Sequence, residues 1–272
     1  MAGKPIPVEN LSGQALVETL ISHEGRDHWE KVHADILGQQ KSFGKISTTD
    51  NNLAVALLHL GKIKEAISIL ENMEKGSPHQ YYVAANLGTA YELNGENEKA
   101  LQWIRKAMDR NPDSHYDTEW LHVKILEAKI AISRDPQWLE GHSVIGLADG
   151  AISVTDHTGR LRGSSEIEKA LAYQLHERLE FTPKPDAIVA DLLFDFGKVL
   201  TVTRGPEHAD AVFELARAYG PNHEEILKKR SGETVLVALV IDRRPYIIYS
   251  AVGFALILCV IGGLAILRRR RR

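Results

Sequence analysis

Apolar residues recur at helical spacing over most of this chain, and in one stretch they run without a break. Trp29, Val32, Ile36 and Leu37 predict a helix over 27–39, and Trp120, Leu121, Ile125, Leu126 and Ile132 predict another over 117–133. Ser165-Glu-Ile-Glu168 has the form of a capping box ahead of Leu171, Leu175 and Leu179, which predicts a helix over 166–180. Pro183 and Pro185 end it. Residues 140–164 are rich in Gly, Ser and Thr, lack a helical period and read as a long loop. The apolar run Val235–Ile241 reads equally as a short strand or as a helix. Tyr246 to Leu267 is of another kind: 22 residues without a charge. As a helix it would be roughly 33 Å long, enough to cross a hydrocarbon core of about 30 Å. Arg243 and Arg244 bracket it on one side and Arg268–Arg272 on the other, with Tyr246 and Tyr249 where an interfacial aromatic belt would lie. A buried core helix would have to hide apolar side chains in every direction and then end in five arginines, so a single membrane helix is expected.

The second pattern is a repeat of 34 residues. Gly61-Lys-Ile-Lys-Glu-Ala66 recurs as Gly95-Glu-Asn-Glu-Lys-Ala100, and Pro78 as Pro112. Leu53, Leu57 and Leu70 recur as Leu87, Tyr91 and Ile104. Each unit reads as a helix, a tight glycine turn, a second helix and a proline stop. Phe196, Gly197, Leu200, Ala209, Phe213, Ala216 and Pro221 keep the same mutual spacing over 190–223, with Arg204 where the turn glycine belongs and Gly205 beside it. Pro112 to Pro221 is 109 residues, three periods plus seven, so extra helices and an insertion separate the second and third copies.

On these residues the chain resembles the tetratricopeptide repeat (TPR) family. Residues 81–114 carry Leu87, Gly88, Tyr91, Gly95, Ala100, Ile104, Ala107 and Pro112 in the signature places. Residues 47–80 depart from the signature, with Ala54 for the first-helix glycine and Met73 for a small alanine. The resemblance implies stacked helix pairs whose first helices line a concave face that binds peptides or partner helices. Tyr82, Asn86, Thr89 and Glu92 are then the expected partner-binding residues, with Tyr82 the aromatic anchor. Members that grip chaperone tails use a basic carboxylate clamp. Asn51 and Val55 stand where it would want Lys and Asn, and only Asn86 fits, which disfavours that partner.

The expected architecture is therefore all-α: a TPR-like helical-hairpin solenoid followed by a single C-terminal transmembrane helix. Its expected parts are a helical lead-in over 1–46, two repeats over 47–114 and extra helices over 115–189 with the 140–164 insertion. A degenerate third repeat over 190–223, a juxtamembrane linker over 224–245, the span 246–267 and a polyarginine tail over 268–272 complete it.

Charge narrows the partners. The chain has 33 Lys+Arg and 36 Asp+Glu, and without the five tail arginines the balance is 28 to 36, near −8. That excludes a dense basic surface for nucleic acid and favours a basic or neutral protein segment. The one cysteine, Cys259, falls in the span, so no intrachain disulfide or soluble thiol chemistry is available. With Ala251, Ala255 and Gly263 it forms a small-residue stripe, a candidate homodimer face. Met-Ala-Gly-Lys-Pro-Ile-Pro has no apolar h-region, so a tail-anchored protein with a cytosolic domain is expected if this start is genuine. With an upstream signal the domain would instead be exported, leaving the arginine tail in the cytoplasm.

Candidate chemistry is sparse. Neither phosphate-binding glycine loop is present, nor a Gly-x-Ser-x-Gly elbow, and no spacing singles out a pair of acids. No cofactor, no metal and no catalytic residue is expected. Among the 12 histidines, His115, Glu119 and His122 share one helical face. With His142 they define the alternative, a metal-dependent hydrolase built from 115–164. A third reading is a structural subunit of a membrane complex. His23, His28 and His33 are spaced by five and do not converge.

Overall fold

The computed structural model describes residues 6–43, 47–148 and 151–231. The proposed span 246–267, its small-residue stripe, the 235–241 run and the arginine tail lie outside them. Among the described residues no helix is long and apolar enough to cross a membrane.

The described chain is helical apart from one small hairpin. Its helices are α1 (Gly13–Leu20), α2 (Arg26–Phe43), α3 (Ser47–His59), α4 (Ile63–Gly76), α5 (Tyr81–Leu93), α6 (Asn97–Arg110) and α7 (Glu119–Arg134). After the hairpin β1 (Val154–Thr155) and β2 (Leu161–Arg162) come α8 (Ser164–Phe181), α9 (Ala187–Arg204), α10 (Asp210–Tyr219) and α11 (His223–Ser231).

The 34-residue period becomes two equivalent helix pairs, α3–α4 and α5–α6. Both turn in the same way. Gly61 N donates to Leu58 O and Lys62 N to Leu57 O; Gly95 N donates to Glu92 O and Glu96 N to Tyr91 O. This is the Schellman closure, and it requires the left-handed φ of +75° at Gly61 and +80° at Gly95. The residues that repeat are those that are buried: Leu53, Leu57, Ala66 and Leu70 in one pair, Leu87, Tyr91, Ala100 and Ile104 in the next. The Arg110 guanidinium reaches back from α6 to Glu74 of α4, at 2.6 and 3.0 Å, and locks one pair to the other.

The third copy is also a helix pair, α9–α10. Gly197 faces Phe213 as Gly88 faces Ile104, sixteen residues on in each case. Its turn differs as the sequence suggests. Helix α9 runs on through Arg204, and Gly205 N closes it on Thr201 O. The side chain of Arg204 leaves the turn altogether. It donates to the carbonyls of Val8 and Leu11 and pairs with Glu168.

These pairs form two adjoining cores. One holds α2 to α6 with Val123 and Leu126 of α7. The other holds α7 to α10, the loop residues Val144, Ile145 and Leu147, and Leu16 and Leu20 of α1. The N-terminal segment thus packs against α8 and α10, at the far end of the chain.

Two local readings change. The N-terminal cap of α8 lies two residues earlier than Ser165–Glu168: Gly163 N donates to Glu166 Oε2 at 3.0 Å, and Glu168 is buried against Arg204. The 140–164 segment is not featureless. Asp156 accepts from Thr158 N (2.9 Å), Thr158 Oγ1 (2.6 Å) and Arg160 N (3.1 Å), which folds the chain back into the hairpin. Arg162 then donates to Asp156 (2.8 Å) and Asp117 (2.5 Å), with its guanidinium over Trp120. The earlier part is tied to α9: Val144 N donates to Asp191 and Ser143 Oγ to Asp195, at 2.7 and 2.8 Å. Side-chain partners replace the missing helical period.

Candidate functional site

The first helices of successive pairs, α3 and α5, and the next helix α7 stand in a row, as the repeat requires. Helix α8 runs across that row. It sends Arg178 to Glu92 of α5 and Glu180 to His59 of α3, and it packs along α7. The concave face is therefore partly covered by the chain itself. What remains is a cleft, partly open to solvent, walled by α3, α5, α7 and α8.

Glu92 is the hub of its floor, only 8% exposed. It accepts from Arg178 Nη1 at 2.5 Å and from His122 Nε2 at 2.7 Å, with Lys129 Nζ 2.7 Å away. Burial alone would push the Glu92 carboxyl up, but Arg178, then Lys129 and His122, hold it well below the usual carboxylate range. Glu119 is placed by the first turn of α7, where it bonds His115, and its second oxygen lies 3.3 Å from His122 Nδ1. Hydrogen bonds from His115 and His122 lower its carboxyl against the effect of burial. Burial would lower His122, but its bonds to Glu119 and Glu92 raise it above the usual imidazole value.

His115 reaches Glu119 through an unusual backbone. His115, Tyr116 and Asp117 have φ of +48°, +62° and +59°, three consecutive side-chain-bearing residues in the left-handed region. Each such residue costs on the order of 1–2 kcal/mol. The contacts they make offset that cost: His115 to Glu119 and Tyr173, Tyr116 to Tyr173, and Asp117 to Arg162.

Of the four expected partner-binding residues, Asn86, Thr89 and Glu92 line the cleft and Tyr82 does not. Tyr82 packs against the repeat core with its ring edge-on to Tyr81. The Asn86 amide donates to Asn51 at 2.8 Å, and Glu92 is engaged by Arg178, Lys129 and His122. Thr89 is half-buried in the wall. Arg178 comes from α8, whose position no repeat spacing encodes.

The triad His115, Glu119 and His122 does converge, but as alternating imidazole and carboxylate groups bonded to one another. Among the described residues no group of three His, Cys, Asp or Glu side chains is arranged to hold a metal ion. His142 is elsewhere, stacked on Trp138 with its Nδ1 2.9 Å from the Trp138 carbonyl. His23 and His28 are likewise apart, the first 3.8 Å from Glu180 and the second edge-on to Trp29.

Sequence reading passed over Arg178, Lys129 and Glu177. A signal existed for the first. Arg178 lies three residues after Leu175 and one before Leu179, on the apolar phase of α8, where an isolated charge implies a buried partner. Glu92, four residues after Gly88 on α5, carries the matching signal. Which charge meets which depends on the packing of α8.

Residues 57–120 match the tetratricopeptide repeat family. Human (Homo sapiens) trafficking protein particle complex subunit 12 is 30% identical over 100 residues, covering 35% of this chain and 13% of that protein. The chain thus spans a small part of that relative's length. Among solved structures, one chain of the APC/C hetero-tetramer Cut9-Hcn1 aligns with 83% of this chain and 42% of its own, at 14% identity and a TM-score of 0.39. A chain of Naa15/Naa10 bound to HypK-THB aligns with 88% of this chain and 37% of its own, at 17% identity and a TM-score of 0.35.

Proposed function

We propose that this chain is a non-enzymatic scaffold, a TPR-like helical domain that the uncharged 246–267 segment holds at a membrane and that binds a protein partner there. The observation that carries the reading is the pair of equivalent hairpins, α3–α4 and α5–α6, of which α4, α5 and α6 lie within the region that matches the repeat family. Repeats of this build supply extended binding surfaces. The uncharged span with arginines on both sides supports the anchor. The domain contributes Thr89, with Asn86 and Glu92 beside it, as the partner-facing wall.

Full-length protein is expected to stay in the membrane pellet after alkaline carbonate extraction. A chain ended after Asp242 should appear in the supernatant with a mainly helical circular dichroism spectrum. A truncated chain that still pellets with membranes would remove the single-anchor reading. Protease protection on sealed vesicles then fixes the side on which the domain lies, and with it the pool of partners.

The binding surface has its own test. A photoreactive residue at position 89, in the cleft wall, should capture partner. One at the exposed Lys99 on α6 should not. Stronger capture from position 99 would overturn the cleft as the contact surface.

A second reading is favoured by one comparison. The human relative is named as a subunit of a trafficking complex. This chain would then be a permanent component of an assembly, and it would copurify with its neighbours at fixed stoichiometry, whereas a recruiting adaptor would give substoichiometric capture.

A further inference from the structure

One carboxylate of the cleft has no direct partner among the described residues, although the rings of His176, His115 and His59 lie near enough to act on it. Glu92 faces Arg178, Lys129 and His122; Glu119 faces His115 and His122; and Glu180, near the end of α8, bonds His59. Glu177, one turn before Phe181, forms no hydrogen bond or ion pair with a described residue. Its side chain is half-buried in the cleft wall, and burial pushes its carboxyl above the usual range. A carboxylate in such a place gains most from a cation that arrives with a ligand, because the wall's own cations are engaged elsewhere.

The surroundings select the kind of cation. Val55 and Leu58 of α3, Leu93 of α5 and Phe181 of α8 give the same cleft an apolar lining. A long side chain with an aliphatic stem and a charged head matches both features, because the stem can lie on apolar surface while the head reaches the carboxylate. The cleft extends to Asn86 and Thr89, which can bond peptide groups. The balance of the chain without its arginine tail, near −8, draws a basic segment toward it.

We propose that this cleft receives a lysine or arginine side chain from a peptide segment of a partner protein, with the cationic head on Glu177 and the stem against Val55, Leu58 and Phe181. The inference rests on the scaffold reading and names the chemistry of its partner.

The test uses full-length protein in phosphatidylcholine nanodiscs and fluorescent decapeptide pools. One central position is fixed as arginine, lysine, citrulline, norleucine or glutamate, and the flanks are randomised. Arginine and lysine pools are expected to bind on the order of tenfold more tightly than citrulline and norleucine pools. Glu177→Gln should abolish that preference with little change in Tm, since Glu177 has no bond to lose. Glu177→Lys should transfer the preference to the glutamate pool. Equal binding of all pools, or a preference undiminished in Glu177→Gln, would overturn the proposal. Glu177-dependent binding of spermidine without discrimination among peptides would overturn it too, in favour of a small-cation site. Partner capture from position 89 combined with no charge preference here would sink this inference and leave the scaffold reading standing.

Discussion

Glu92→Leu is expected to lower the stability of the folded domain by about 3–5 kcal/mol, the usual cost of removing one side of a buried ion pair. Arg178, Lys129 and His122 converge on this carboxylate, and the leucine would leave all three facing one another without it. Arg178→Met should cost less, because Lys129 and His122 continue to compensate Glu92. Denaturant midpoints of the two variants at pH 7 check the order, and equal costs would mean that the three groups do not act on a common centre. The same network fixes a pH dependence. His122 is raised above its usual value of 6.5, so its contribution is complete below that pH and is lost as the pH rises through its folded value. Glu92 is lowered from 4.5, so its contribution is complete above that pH and is lost as the pH falls through its folded value. The stability advantage of wild type over His122→Asn should therefore be largest between these limits and shrink as the pH rises above 6.5. An advantage that grows with pH would show that His122 is buried neutral.

The helix pairs were legible in the sequence because their determinants are local. A period of 34 residues, a turn glycine and buried small residues at close crossings all act within one hairpin. Gly61 and Gly95 close their helices by the same two hydrogen bonds, so the same residues recur. In the pair α9–α10, Gly197 and Phe213 keep the spacing of Gly88 and Ile104. The cleft was legible only on one side. The row of first helices follows from the repeat, whereas α8 is placed by single long-range contacts, Arg178 to Glu92 and Glu180 to His59, that leave no period. For the same reason the anchoring of the 140–164 segment was hidden. It depends on Asp191 and Asp195, two fully buried carboxylates inside an apolar helix, whose partners lie about 50 residues away in sequence. A charge on an apolar helical phase shows that a partner exists, and only the tertiary packing shows which one.

Gly197→Ala offers the sharpest measure of how tightly the third helix pair closes. A Cβ at position 197 would lie 2.3 Å from Phe213 Cε1, 2.6 Å from Cζ and 2.7 Å from Cδ1. The ring is rigid and is itself packed against Phe194, with centroids 5.5 Å apart, so it cannot swing aside without disturbing α9. At the equivalent crossing, a Cβ at Gly88 would meet Ile104 Cδ1 at 2.4 Å, Cγ1 at 2.6 Å and the Ile104 backbone N at 3.3 Å, so the end of the aliphatic chain can give way but its base cannot. Alanine gains up to about 1 kcal/mol over glycine within a helix, while overpacking costs about 1–3 kcal/mol or more. The rigid partner puts Gly197→Ala near the top of that range, about 2–3 kcal/mol destabilising. The aliphatic partner, which can give way only in part, leaves Gly88→Ala less costly, at about 1–2 kcal/mol. Urea denaturation of both variants measures the difference. Trimming the ring should repair the first: Phe213→Leu is destabilising alone, yet the double variant Gly197→Ala/Phe213→Leu should be more stable than the sum of the two changes, by on the order of 1 kcal/mol. Strict additivity would mean that α9 and α10 do not meet at this glycine, and with it the third repeat would lose its closest packing contact.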